Sequence, residues 1–338
     1  MSADPLTSLA GLVFHRLETL TAGARALGTD TALVADAANL RWLGASGRHG
    51  TCVLLHDGTA LGLSTESMAL AAALTHAGVR RGSRIAVDDA GADVVRASSQ
   101  PGRPLADLAP ALKESRLRKD DAELRAIERA ADLATAGQRA VRAALVPGVR
   151  EDELWAAAGE AMHALGGSDE AVVDLMGGAR TALVGEAPTT HVVAPGDPVL
   201  FDLAPRAGAY WADSCATICC GTPSSALVRR HDAVRHALEA GLQAARPGVM
   251  ACDVDAVIRS ELERRGLHCP HHTGHGVGAA PQEAPWFVPG DTTVLDERMV
   301  IALEPGAYTG GFGVRLEHLA VVTEGGATPL TSHILDHL

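Results

Sequence analysis

A stretch reading Val146-Pro147-Gly148-Val149 and then Glu151-Asp152-Glu153-Leu154 returns one hundred residues later as Arg246-Pro247-Gly248-Val249 and then Ala251-Cys252-Asp253-Val254. Each copy closes a long Ala-rich helical pattern with Pro-Gly and opens a second amphipathic helix on an acidic first turn. Two copies are too few for a solenoid, which needs about three stacked repeats or more, so the pattern implies a duplicated α+β half. Strand-like segments follow the second helix in each copy, over residues 199–217 in the first and over 300–303 and 314–322 in the second. A site held between two such halves draws side chains from both.

The strands end in an unusual way. Val199, Leu200 and Phe201 form an apolar run that suits a buried strand, and Asp202 follows with no adjacent opposite charge. Asp213 comes eleven residues later, past a Pro-Arg-Ala-Gly turn and the strand-like Tyr210 and Trp211. Antiparallel strands joined by that turn set both carboxylates side by side, where they repel unless protons or metal ions neutralise them. The plain alternative is two Asp residues at strand ends. The second half repeats the grammar in Val300-Ile301-Ala302-Leu303-Glu304-Pro305-Gly306. In Gly313-Val314-Arg315-Leu316-Glu317, Arg315 and Glu317 share one strand face, so an ion pair between them is the structural alternative to a ligand role for Glu317. In His271-His272-Thr273-Gly274-His275-Gly276-Val277-Gly278, glycines allow close backbone approach while an imidazole points inward. His271 and His272 also read as a flexible polar loop; His275, fixed between two glycines, does so less well.

Composition bounds what such a chain does. Its 338 residues, 47% of them hydrophobic, suffice for two domains with real cores. A balance of 29 basic against 41 acidic residues, net −12, argues against nucleic acid or an anionic membrane as partner and permits an acidic cation site. Met-Ser-Ala-Asp-Pro lacks the build of a signal peptide, and no run approaches the roughly 18 apolar residues of a membrane span, so a cytoplasmic location is expected. Cys52, Cys215, Cys219, Cys220, Cys252 and Cys269 show no zinc-type spacing and read as idle thiols. Residues 1–115 form a self-contained α/β pattern, with helices over 12–27 and 67–77 and strands over 31–34, 50–56 and 83–87. Between residues 90 and 105 Gly, Ser and Pro lower the expected order, and the charge run over 113–125 reads as the solvated face of a helix. The boundary falls near Arg116, giving domains 1–115 and 116–338.

Taken together, Asp202, Asp213, His275, Glu304 and Glu317 resemble the dinuclear metal set of the pita-bread metallohydrolases, the family of methionine aminopeptidase, aminopeptidase P, prolidase and creatinase. Leu33-Val34-Ala35-Asp36-Ala37-Ala38-Asn39-Leu40-Arg41-Trp42-Leu43 is similar to the N-terminal domain of the prolidase and aminopeptidase P branch, so the likeness runs nearly end to end. The resemblance implies an α+β pita-bread catalytic domain with pseudo-twofold halves, a smaller α/β domain before it, and a homodimer. It implies that Asp213 and Glu317 bridge two divalent ions, Asp202 completing one and His275 with Glu304 the other. Mn²⁺ suits this oxygen-rich set best, with Co²⁺, Fe²⁺ and Zn²⁺ tolerated. A hydroxide held between the ions would then cleave an amide of a small peptide or small-molecule substrate. Glu304 is the family's candidate for proton transfer and His271 a cleft histidine.

The departures matter as much. Where the peptidases carry a histidine seven residues past the ligand His, this chain has Gln282, which can donate a hydrogen bond to an oxyanion but cannot carry a proton. A second family histidine falls at Gly185, with His191 nearby in another register. Trp286 and Arg315, with His191 and His271, are the substrate-side candidates, and Trp286 with Phe287 and Trp211 shapes an apolar pocket or packs a core. The leading expectation is a hydrolase of the Xaa-Pro aminopeptidase or prolidase type. The alternatives are a relative that performs C–N hydrolysis or elimination on a small metabolite, and a catalytically silent binding protein.

Overall fold

The computed structural model of the protein describes residues 13–45, 51–64, 67–97, 103–167, 171–333 and 338, and the chain divides into two compact units, Met1–Arg116 and Leu117–Leu338. The first unit runs α1 (Phe14–Ala26), β1 (Thr31–Val34), α2 (Ala37–Trp42), β2 (Thr51–His56), β3 (Thr59–Ser64), α3 (Ser67–His76), β4 (Ile85–Val87), α4 (Asp89–Ala97), β5 (Leu105–Asp107) and α5 (Ala109–Leu117). Among the described residues its sheet has the order β3-β2-β1-β4-β5, with β1, β4 and β5 parallel and β2 and β3 antiparallel. Leu33, Leu54, Leu70 and Ile85 fill its core. Asp36 caps α2 by accepting from the backbone N–H of Ala38 and Asn39. Asp88, 2% exposed, is satisfied by the N–H groups of Ala35, Asp36 and Gly91 and by the Asn39 amide.

The expected loss of order after residue 90 is corrected by α4, whose Ala92 and Val95 are buried. Gly91, read as a breaker, is what lets this helix sit down: an added Cβ would come 2.5 Å from the Leu33 carbonyl oxygen of β1. The Ser-Ser-Gln-Pro-Gly tract at 98–102, and the expected element starts at Leu12 and Gly50, lie outside the described residues.

The second unit runs α6 (Asp121–Ala144), α7 (Glu151–Ala164), β6 (Ala171–Gly177), β7 (Pro198–Ala207), β8 (Tyr210–Trp211), β9 (Cys215–Cys219), α8 (Ser225–Ala244) and α9 (Ala251–Glu263). It continues with β10 (Gly274–Gly276), β11 (Glu283–Trp286), β12 (Val300–Leu303), β13 (Gly306–Thr309), β14 (Phe312–Arg315), β15 (His318–Thr323) and β16 (Gly326–Pro329). Here too the structure corrects a sequence expectation. The charge run is not one solvated helix face: it breaks between α5 and α6, and Lys119 is 2% exposed, its ammonium 3.0 Å from the Glu283 carboxylate. Asp120 supplies the cap of α6 instead, in a reciprocal box with Glu123. Glu123 also accepts the Tyr210 hydroxyl proton at 2.9 Å, which fixes the helix start to β8.

The internal repeat is a repeat of hydrogen bonds. Gly148 donates to Val193 O and Val193 to Val149 O; one copy on, Gly248 donates to Leu295 O and Leu295 to Val249 O. Glu151 and Asp152 donate to His191 O and Thr189 O, as Ala251 and Cys252 donate to Thr293 O and Asp291 O. Each bond set delivers the chain into a central strand, β7 or β12, that carries a carboxylate at or just beyond it. In β7, Leu200 lies two residues before Asp202 and faces Met176; in β12, Ala302 lies two residues before Glu304 and faces His275. The duplication is therefore chemically unequal: one half places an imidazole on the rung where the other buries a thioether.

Helix pairs α6·α7 and α8·α9 cover these strands, and the second pair is close. An added Cβ at Gly241 of α8 would come 2.6 Å from Ile258 Cδ1 of α9. Gly241→Val should destabilise the protein by about 1–3 kcal/mol. Gly159→Ala in α7, where an added Cβ meets nothing within 4 Å, should stabilise it by roughly 0.5–1 kcal/mol through helix propensity. Urea unfolding of both variants checks the pair; equal signs would contradict the packing described.

Candidate metal centre

Backbone links between the halves bring the strand-end residues together. Glu317 N–H donates to Cys215 O at 2.9 Å, and Thr217 Oγ1 exchanges hydrogen bonds of 3.0 Å with the Arg315 backbone. Asp213, just before β9, thereby meets Glu317, between β14 and β15. A donor atom from each of Asp213, His275 and Glu317 lies within 4.8 Å of the other two, and all three residues are buried. Gln138 of α6 donates its amide to the Ser214 carbonyl, holding the Asp213 segment from behind.

His275 reaches this cluster because β10 is squeezed between two strands. An added Cβ at Gly274 would come 2.3 Å from Ala302 O of β12, and one at Gly276 would come 2.2 Å from Ala284 O of β11. The His275 Nδ1 proton goes to Gly276 O at 3.0 Å, which leaves the Nε2 lone pair facing Asp213 and Glu304, each at 3.5 Å. Burial lowers the pKa of this imidazole and keeps it neutral, the form that ligates a metal.

Charge in the cluster is unbalanced. Burial raises Asp213 and Glu317 well above the usual carboxylate range, and the neighbouring carboxylates push them further. Asp202 is raised by burial against the pull of Arg315. Glu304 goes the other way: burial is outweighed by His272, His275 and Arg315, which hold it at about 2. Glu317 Oε2 is buried with no hydrogen-bond partner, and Glu304 Oε1 is buried with His272 Nδ1 at 3.1 Å. Carboxylates in that condition, beside a neutral imidazole with a free lone pair, fit a divalent cation, with protons on Asp213 and Glu317 as the alternative that their raised pKa values allow.

Around the cluster, Arg315 acts as a fork rather than as the partner of Glu317 that strand alternation suggested. Its Nη2 donates to Asp202 at 2.6 Å and to Asp174 at 3.3 Å, and its Nη1 to Val184 O at 2.6 Å and to the Tyr308 oxygen at 3.3 Å. Asp202 sits on the sheet rung opposite Cys215, and the break after β14 carries Glu317 to the Cys215 carbonyl. Tyr308 passes its hydroxyl proton to His271 Nε2 at 3.0 Å, and His271 Nδ1 donates to His272 O at 2.6 Å. His272, which the sequence allowed as a loop residue, is packed: its Nδ1 is 3.1 Å from Glu304 Oε1, and its ring lies 5.5 Å from His275 and 5.4 Å from Trp286. Trp286 also sits 5.9 Å from the His275 ring.

Gln282 and His191 are the remaining expected residues. Gln282 is exposed on the turn into β11. His191 packs beside Gly177, three residues along β6 from the Asp174–Asp202 rung, where buried Glu151 binds Gly177 and Thr189. Asp174 and Tyr308 are residues at the site that sequence reasoning missed, and His272 one that it left open as a loop. Asp174 carried a signal, a carboxylate inside the apolar run Val172-Val173-Asp174-Leu175-Met176, the same grammar as Asp202.

Comparison with known proteins agrees with this geometry. The chain is 33% identical over 225 residues to the probable dipeptidase PepE of Mycobacterium tuberculosis, covering 65% of this chain and 60% of that one. It is 39% identical over 147 residues to the Xaa-Pro dipeptidase of Lactobacillus helveticus, covering 43% and 40%. The aligned part thus spans about 60% and 40% of the length of these relatives. The crystal structure of the prolidase from Pyrococcus horikoshii superimposes with a TM-score of 0.87 at 22% identity over 96% of this chain and 100% of that one, which shows a shared pita-bread fold. Residues 125–324 match metallopeptidase family M24, and the chain belongs to that family.

Proposed function

We propose that the protein is a metal-dependent hydrolase of the Xaa-Pro dipeptidase type, acting on small peptides. The observation that carries this reading is the buried Asp213–His275–Glu317 cluster, with Asp202 and Glu304 beside it. The names of the M24 relatives support the substrate class. Asp202, Asp213, His275, Glu304 and Glu317 would hold two divalent ions, manganese foremost. Bound there, the ions supply a Lewis acid for a carbonyl and lower the pKa of a water. Homodimeric assembly and a cytoplasmic location complete the reading, on the resemblance to the prolidase branch.

The side chains do the rest. Glu304, held ionised by His272, His275 and Arg315, takes the proton of the attacking water on its carboxylate and returns it to the leaving amine. Arg315 orients Asp202 and, through Tyr308, the ring of His271. His272 and Trp286 wall one side and exclude water. A second reading, hydrolysis of another small amide, is favoured by Gly185 and the exposed Gln282 in place of the family's two histidines.

Two measurements test this. Asp213 and Glu317 have raised pKa values without metal, so the stability they give as neutral acids is present at acid pH and lost as pH rises through those values. Glu304 has the opposite sign, its contribution being present above the ordinary carboxylate range and lost as pH falls to about 2. Because an ion binds the deprotonated ligands, adding Mn²⁺ to chelator-treated protein should raise Tm by roughly 5–10 °C at neutral pH and by less at pH 5.5. A gain that shrinks as pH rises would sink the assignment. On Mn²⁺-loaded protein, Glu304→Gln should reduce kcat on Xaa-Pro dipeptides by about 10²–10⁴-fold. Bound metal with no turnover of any Xaa-Pro dipeptide would remove the dipeptidase and leave the other amide.

A further inference from the structure

Asp174 has no place in the hydrolytic chemistry above, yet it stands at the edge of the same site. It faces Asp202 directly across the antiparallel β6–β7 pair, so both carboxylates project from one face of the sheet. On its other side Asp202 faces Cys215, whose carbonyl binds Glu317 and whose segment carries Asp213. Asp174 is thus one ladder spacing, about 5 Å, beyond Asp202 on the side away from the Asp213–His275–Glu317 cluster.

Its environment sets it apart from the buried ligands. The Asp174 side chain is 30% exposed, against 8% for Asp213 and 9% for Glu304. Among the described residues its hydrogen-bond partner is Arg315, at 3.3 Å, and that same nitrogen lies closer to Asp202, at 2.6 Å. Gly185 completes the arrangement. An added Cβ there would come 2.9 Å from Asp174 Oδ2, so a side chain at 185 would have to push the carboxylate out of its present position. The backbone at 185 keeps its place over Asp174 because Glu151 anchors the following loop through Thr189 and Arg315 holds Val184 O. Where a residue at 185 would present a donor to the cleft, this chain presents an acceptor with negative charge.

We infer that Asp174 is a specificity-determining residue that selects substrates carrying a cationic side chain, an ammonium or a guanidinium, next to the bond that is cleaved. The inference rests on the hydrolase reading for its site, and deepens it by naming the substrate class. The distance from the cluster assigns Asp174 to a side chain rather than to the backbone amine: it lies one spacing beyond Asp202, on the far side from the reacting groups. The exposed edge of the carboxylate leaves room for a second donor beside Arg315.

The test uses Mn²⁺-loaded full-length protein and two matched pairs, lysyl-proline against norleucyl-proline and arginyl-proline against citrullyl-proline. Wild type should favour the cationic member. In Asp174→Asn the cationic-to-neutral ratio of kcat/KM should fall roughly 10- to 100-fold, the worth of a hydrogen bond between charged groups. The double variant Asp174→Ala, Gly185→His, freed of the 2.9 Å contact, should lose the preference as well. A ratio unmoved by Asp174→Asn, or a fall shared equally by both members of each pair, makes Asp174 a structural partner of Arg315 and overturns the inference. If wild type turns over none of the four, the dipeptidase reading fails separately. The same peptides then survive for calorimetry, where equal Kd values within each pair would overturn the role of Asp174 and a cationic preference lost in Asp174→Asn would uphold it.

Discussion

Carboxylates crowd the junction of two related halves, and the protein must keep them there against their mutual repulsion. Asp202, Asp213, Glu304 and Glu317 converge in a space that water barely enters, where each charge raises the cost of the next. Among the described residues, the counter-charges against them include the Arg315 guanidinium and the imidazole of His272 beside Glu304. Asp213 and Glu317 are left with protons or cations as their means of neutralisation. The scaffold behind them is stiff accordingly: Gln138 ties Ser214, Thr217 and Cys215 tie the β14 end, and glycines press β10 between its neighbours. A site built of repelling groups needs walls that cannot relax.

Arg315 turns that necessity into an organised cleft. Because its planar head donates in a fork, one residue fixes a candidate ligand, Asp202, a rim carbonyl, Val184, and a relay through Tyr308 to His271. The same fork reaches Asp174, so one guanidinium holds both carboxylates of the β6–β7 rung. One side chain of β14 in this way ties β6 to β7, joining strands from both halves.

Parts of this were legible in the residues. The doubled Pro-Gly-Val pattern announced the two halves, and the apolar run before Glu304 announced a carboxylate at a strand end; Asp202, read the same way, lies inside β7 instead, because that strand runs on to Ala207. The histidine between glycines at 275 was readable for a reason now visible: only glycine fits beside the carbonyl oxygens of Ala302 and Ala284. What misled were local signals overridden by packing. Gly91 read as a breaker but allows α4 to touch β1, and Lys119 read as surface charge but is buried on Glu283. Arg315 and Glu317 read as partners by alternation until the chain left its strand between them.

By itself the sequence determined the duplicated α+β plan and the residue types of the candidate metal centre, because periodicity and strand-end carboxylates are local properties of the chain. It also carried the membership of family M24 through the order and spacing of those residues. Only the tertiary structure decided which carboxylate Arg315 binds, that His272 and Tyr308 stand beside the cluster, and that Gly185 lies against Asp174. Those facts depend on sheet register and on contacts between segments far apart in sequence, such as Arg315 with Asp174 across 141 residues. No spacing along the chain encodes such a contact; it exists once two strands have chosen their partners.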